Sequence, residues 1–358
     1  MAKAAPDTLS IRLASHGLDA PRFDSPRDLI AHFGCIQAQD TRQSRWVIAS
    51  RIEGATDASI KASLARGEIV RTWPMRGTLH YTDPRHVRPL LELCAAKTLS
   101  GFPKRRAILG ISDAHAEKAL ALMQKGLRGK TLSRTELGAL LEKGDIPMQT
   151  QWVYHLACYA ATKGIICFGP PDGDDDTFVL LDEWVPAAKR LPREAQLAEI
   201  ARMYVRGHGP ATADDLAWWT GLGKGDCTKA LAAIASECEI CTLPNGKDAY
   251  FYAPRAARAA APRIRLLGGF DEYFLGYKDR SPVADVAHHS KLFTSNGIFF
   301  PLVVEDGRVI GSWKREIKKD TVRFTFSLLP GVAVPPKALH QECARYTAFL
   351  DKKDFVVV

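Results

Sequence analysis

The chain has 358 residues, more than one hydrophobic core usually serves, so about two to four domains are expected. Its 46% hydrophobic and 25% charged residues are ordinary for a globular protein, and a net charge of +9 permits a polyanionic partner through counterion release without requiring one. No apolar run reaches the ~18 residues of a membrane span, and Met1–Ser10 has no apolar core behind a basic stretch. A membrane partner and a secretory leader are therefore not expected, the location is read as cytoplasmic, and the eight cysteines are read as reduced.

In chain order, the first predicted helix is Pro26–Phe33, with Ser25 as its cap and Pro26 at its first position. A second helix is predicted at Ser59–Arg66, followed by paired strands at Ile69–Trp73 and Gly77–Thr82. This is a loose version of a winged helix, in which helices precede a β-hairpin. A clearer copy runs from Asp113 to Glu183. Ala116–Lys125 has helical apolar spacing, and Ser133 with Glu136 forms a capping box for the next helix. Thr150–Lys163 reads as the third helix, and Gly164–Phe168 and Thr177–Leu181 as strands around a polar turn.

A further copy follows at once. Arg193–Arg206 is helical, Thr212 caps the next helix with Asp215 at its third position, and Asp226–Ser236 is the third. Glu239–Leu243 and Ala249–Ala253 flank Asn245-Gly246, a hairpin turn signal. Pro254–Arg263 is basic and rich in Ala and Pro, as a linker is. Beyond it, Ile264–Tyr277, Gly297–Val304, Arg308–Trp313 and Thr321–Phe326 favour strands, so a mostly β end, as in a small barrel, is expected. The predicted fold class is α+β, with tandem winged-helix (helix-turn-helix) modules followed by a C-terminal β-barrel-like domain. The expected boundaries are 1–110, 111–190, 191–258 and 262–358.

Several motifs carry little chemistry. Gly126-Leu-Arg-Gly-Lys-Thr131 has Gln124 where a phosphate loop needs its first glycine, so no nucleotide cofactor is expected. Thr220-Gly-Leu-Gly-Lys-Gly225 reads as a turn between helices, or else as a glycine turn that contacts a phosphate. The single CxxC, Cys238-Glu-Ile-Cys241, has no second ligand pair nearby, so no metal is expected.

Three segments are richer. Arg71-Thr-Trp-Pro-Met-Arg-Gly-Thr-Leu-His80 offers two arginines to a phosphate or the minor groove, or else is a solvated hairpin with Trp73 packed inside and His80 a strand histidine. Phe270-Asp-Glu-Tyr-Phe-Leu-Gly-Tyr-Lys-Asp-Arg280 is dense in polar and aromatic residues, and suits either a site or a turn. Read as a strand, it alternates Asp271, Tyr273 and Leu275 against Glu272 and Phe274. In Ile36-Gln-Ala-Gln39, two glutamines share a face if the segment is extended. An amide does not titrate near neutrality, but its carbonyl oxygen can orient a water and stabilise developing positive charge.

Taken in this order, the three segments resemble the AlkZ-like and YcaQ-like winged-helix DNA glycosylases, and the resemblance spans essentially the whole chain. It implies tandem winged helices, a barrel-like end, and bacterial repair of alkylated DNA, including unhooking of interstrand crosslinks in some members. The family motif is Gln, an apolar residue, then Gln or Asp. Gln37 and Gln39 match the two-glutamine branch, while Asp40 is out of register with the acidic one. The resemblance implies a monofunctional glycosylase for cationic N7- or N3-alkylated purines in double-stranded DNA, with Gln37 and Gln39 catalytic. Arg71, Arg76, His80, Asp271, Tyr273, Lys278 and Arg280 are the expected DNA-binding residues, and no cofactor is implied. The competing reading is a winged-helix transcription regulator without catalysis. It needs base-reading side chains on the third helix, where Gln151 and His155 are available but the surface is mainly apolar.

Overall fold

Helices and strands are mixed along the chain in a computed structural model that describes residues 7–20, 22–149, 151–187, 191–253 and 264–358. The linker expected at Pro254–Arg263 lies outside the described residues. The chain forms two compact units that each draw on separated stretches of sequence. One comprises Met1–Ile60, Ala198–Trp219 and Gly223–Val358, and the other Lys61–Leu197 and Thr220–Leu222.

The unit of Lys61–Leu197 contains the first hairpin, Val70–Met75 paired antiparallel with Thr78–Thr82. Arg76 and Gly77 form its turn at φ 56° and 71°, the left-handed pair that matches the twist of the flanking strands. The helix Pro84–Leu109 follows, capped by Asp83, whose side chain accepts from the Arg85 N–H. Sequence pattern alone marks no element there, because Pro89 and Pro103 read as breaks. Val87, Leu91 and Ala95, four residues apart on one face of it, bury against Cys167, Val179 and Leu181. Burial of that face outweighs the two missing backbone donors.

Farther along this unit, the helices Asp113–Gly126, Arg134–Lys143 and Trp152–Thr162 precede the antiparallel strands Ile166–Phe168 and Thr177–Leu180. The predicted capping box is present, with Ser133 and Glu136 bonding each other's backbone N–H.

The first unit holds most of another set of three helices and a hairpin. The helices are Arg193–His208, Ala213–Thr220 and Lys224–Ala233, and the strands are Glu239–Thr242 and Asp248–Phe251. Its C-terminal part is a five-stranded sheet. The order across it is Asp354–Val357, Thr321–Leu328, Arg308–Ile317, Leu302–Glu305 and Ile264–Leu267. The last-formed strand pairs parallel to its neighbour, because the helix Pro336–Phe349 returns the chain across the sheet. That helix is an addition to the strands expected in this region. Trp46, Trp313 and Tyr346 pack edge to face at 5.0 Å between the helices Thr41–Ala49 and Pro336–Phe349 and the sheet. The two indoles donate to the carbonyls of Leu266 and Leu267, so these buried polar groups are satisfied.

The strand expected at Ile264–Tyr277 is also corrected. Only Ile264–Leu267 is extended, and Glu272–Leu275 is one helical turn capped by Asp271. Asp271 accepts from the Tyr273 N–H, the usual act of an aspartate at that position, and this decides against alternation.

Candidate active site

The glutamine motif lies at the junction of the strand Cys35–Gln37 and the helix Thr41–Ala49. Cys35, Ile36 and Ala38 are fully buried, Gln37 is 5% exposed and Gln39 is exposed. The backbone is extended at Gln37 as expected, and turns at Gln39 to enter the helix. Asp40 is the helix cap, accepting from the backbone N–H groups of Arg42 and Gln43 at 3.1 and 3.0 Å. Its carboxylate therefore has a structural task, in line with its being out of register.

Beneath the motif sits a carboxylate that sequence pattern does not single out. Glu272 is fully buried, and its Oε1 accepts the Gln37 backbone N–H at 2.9 Å. Its Oε2 accepts from the Trp219 indole N–H at 3.1 Å and faces His208 Nε2 at 3.2 Å. Three separate elements thus converge on one side chain. Gly276 makes this approach feasible, since a Cβ there would fall 2.6 Å from the His208 ring. Tyr204 stacks on His208 with centroids 4.5 Å apart and donates its hydroxyl to the Gly276 carbonyl. Gln43 adds a further tie, accepting the Gly269 N–H at 3.3 Å.

The neighbours of Glu272 are equally fixed. Asp271 is 2% exposed and accepts two bonds from the Arg51 guanidinium, at 3.0 and 2.7 Å. Arg51, itself fully buried, also donates to the carbonyls of His16 and Val47. Tyr273 is fully buried and donates its hydroxyl to the Gly307 carbonyl at 2.6 Å. Arg280 is 9% exposed, donates to the Phe274 carbonyl and lies within 5.0–5.6 Å of the rings of Trp218, Phe274, Phe293 and Phe299. All three, expected at the DNA, also make buried contacts within the fold. Lys278 differs: its side chain is exposed, while its backbone N–H is held by Asp215 at 2.9 Å.

A hydrogen-bond chain runs behind this cluster. Tyr277 donates its hydroxyl to the His208 carbonyl, so the contact from His16 Nε2 at 2.9 Å is a donation to the Tyr277 oxygen. Burial, with the nearby His208 and arginines adding, holds the His16 imidazole well below its ordinary pKa, hence neutral.

In the other unit, Arg71 is 7% exposed, is ion-paired with Asp176 and lies over the Phe168 ring at 4.4 Å. His80 is fully buried; its Nδ1–H donates to the Thr78 carbonyl, which leaves Nε2 to accept from Arg76 at 3.2 Å. Arg76 is half-buried at the hairpin turn. Of these three, Arg76 has the greatest access to a ligand.

Among the described residues, no group of three or more His, Cys, Asp or Glu side chains is placed to hold a metal, and no helix is long and apolar enough to cross a membrane. The arrangement is suited to hydrolysis with little acid–base assistance: an anchored amide, a second exposed amide two residues on, and a carboxylate committed to backbone and ring donors. Glu272 lies within the segment quoted above, and a helical reading of it would have changed its face. His208 and Trp219 carry no sequence signal, because they meet Glu272 only through the fold.

The family described as "DNA glycosylase AlkZ-like" matches residues 30–349. A curated relative, the "Interstrand DNA cross-link repair glycosylase" of Streptomyces sahachiroi, is 28% identical over 354 residues, covering 92% of this chain and 93% of its own. The solved structure of the Streptomyces sahachiroi DNA glycosylase AlkZ superposes with a TM-score of 0.79 at 27% identity, covering 98% of each chain.

Proposed function

This chain belongs to the AlkZ-like DNA glycosylase family, and from that premise we propose that it hydrolyses the N-glycosidic bond of purines made cationic by N7 or N3 alkylation in double-stranded DNA. The enzyme is a DNA N-glycosylase acting in DNA repair, so the reading as a regulator without catalysis is set aside. Gln37 and Gln39 orient the attacking water and stabilise the oxocarbenium-like sugar with their carbonyl dipoles. The C1′–N bond electrons leave with the base, whose positive charge they neutralise, so no side chain needs to protonate it. Lys278 and Arg76 contact the DNA backbone, with Arg71 and His80 behind Arg76.

The observation that carries this reading is the setting of Gln37, a buried amide whose backbone is clamped by a buried carboxylate. A charged base is the leaving group such a site can serve. By analogy with the Streptomyces relative, named for crosslink repair, we extend the substrates to interstrand crosslinks. The repeated units of three helices and a hairpin are winged helices and the C-terminal sheet is the barrel-like domain. The setting is the bacterial cytoplasm.

The test is to incubate the protein with a duplex bearing a single N7-methylguanine, then to cleave abasic sites with alkali. Strand cleavage at that position is expected, with little on uracil or hypoxanthine. Efficient uracil release would overturn the mechanism, because a neutral base needs an acid that these residues do not supply.

A further inference from the structure

The start of the helix Trp152–Thr162 borders a cavity of about 680 Å³ that the glutamine site does not use. Its polar rim is Arg105, Arg134, Gln149 and Gln151, and its floor is apolar, formed by Phe102, Val153 and Cys158. Tyr154 stands at the edge, 39% exposed, with its ring braced edge to face against Trp73 at 5.7 Å.

Three features point to an absent ligand. First, the arginines retain charge to offer. Arg105 donates to the neutral Gln151 amide at 2.7 Å, and among the described residues no carboxylate pairs with it. Arg134 is half exposed and reaches Asp176 only at 3.5 Å, where Arg71 is already bound. Second, His155 lines the cavity and is 6% exposed, yet its Nε2 has no hydrogen-bond partner among the described residues. Burial, with Arg106 and Arg105 nearby, lowers its pKa to about 4, so the ring is neutral and offers one unmet nitrogen. A buried polar atom without a partner marks a place where a partner is missing. Third, Gln151 holds a left-handed φ of 73° at the helix start and makes no capping bond with its side chain. A non-glycine residue kept in that conformation is typical of a functional position.

We propose that this cavity binds one nucleotide unit of a DNA strand, with the base against Tyr154 and over the apolar floor and its phosphate between Arg105 and Arg134. The amides of Gln149 and Gln151 and the His155 nitrogen face the base edge, where neutral donors and acceptors read hydrogen bonds. An inorganic anion leaves the ring and floor unused, and an apolar ligand leaves the arginines unused. The proposal rests on DNA being the substrate and not on the role of the glutamines.

Calorimetric titration of the full chain at low salt with dGMP, deoxyguanosine, inorganic phosphate and a single-stranded pentanucleotide tests it. The pentanucleotide is expected to bind tightest, and dGMP at least about tenfold more tightly than its nucleoside or phosphate alone. Tyr154→Leu should weaken dGMP about tenfold, and Arg134→Ala should lower the pentanucleotide salt slope by about 1, with melting retained in both. Gln37→Ala should bind dGMP as the wild type does, which separates this site from the catalytic one. Phosphate binding as tightly as dGMP, or silence of both variants in folded protein, would overturn the proposal. Binding of dGMP with the pentanucleotide excluded would assign the cavity to free nucleotides and overturn the strand assignment.

Discussion

The segments Cys35–Asp40 and Phe270–Arg280 both stand out in the sequence for their polar residues, but they do opposite work. In the first, one amide is exposed, and the other belongs to a residue whose backbone N–H is held by Glu272. In the second, Asp271, Glu272, Tyr273 and Arg280 are all buried and bonded to carbonyls, guanidinium or backbone N–H groups. One segment presents chemistry, and the other fixes where it is presented. Polar density alone does not tell them apart. Burial does, because a buried charge persists only where partners repay its desolvation.

The largest expected effect separates the two as scaffold and surface. Asp271→Ala leaves the Arg51 charge fully buried without its carboxylate, and should cost about 3–5 kcal/mol in stability by denaturant unfolding. Gln39→Ala, at an exposed position, should change stability by less than about 0.5 kcal/mol. Equal losses in the two variants would erase the distinction.

Glu272→Gln sharpens the comparison by keeping the shape and removing the charge. Its amide NH₂ then faces a donor, which should cost about 1–3 kcal/mol. If Glu272 positions the glutamine strand, base release should slow while DNA affinity holds, and Glu272→Asp should restore neither. A Glu272→Gln protein that melts lower but excises at the normal rate would leave the carboxylate a purely structural part.

Lys278 and Asp279 are the exposed residues of the second segment, and the smallest effect belongs to Lys278. Lys278→Ala should leave the melting temperature unchanged, weaken duplex binding a few-fold and reduce the salt slope by about 1. An unchanged slope would remove Lys278 from the DNA interface.

Much of the fold was legible because local signals agreed with it. Ser25, Ser133 and Thr212 begin helices where their capping patterns say they should, and Asn245-Gly246 turns a hairpin. The helix Pro84–Leu109 was hidden by its internal prolines, and the turn Glu272–Leu275 by strand-like residues whose conformation is decided by the Asp271 cap. At the site, the two glutamines were legible as a motif. Their support was not, because Glu272, His208 and Trp219 are brought together by three elements distant in sequence. Nor does sequence reveal that Arg71, Asp271 and Arg280 are already spoken for by Asp176, Arg51 and a ring of aromatics.

The most direct measurement is single-turnover release of N7-methylguanine from duplex DNA by Gln37→Ala and Gln39→Ala, each checked first for wild-type circular dichroism and melting. Each should slow release by about 10²-fold, the lower end for loss of a preorganised polar group because the leaving base is already charged, with DNA affinity kept within a few-fold. Wild-type rates in both folded variants would contradict the catalytic assignment of the two glutamines.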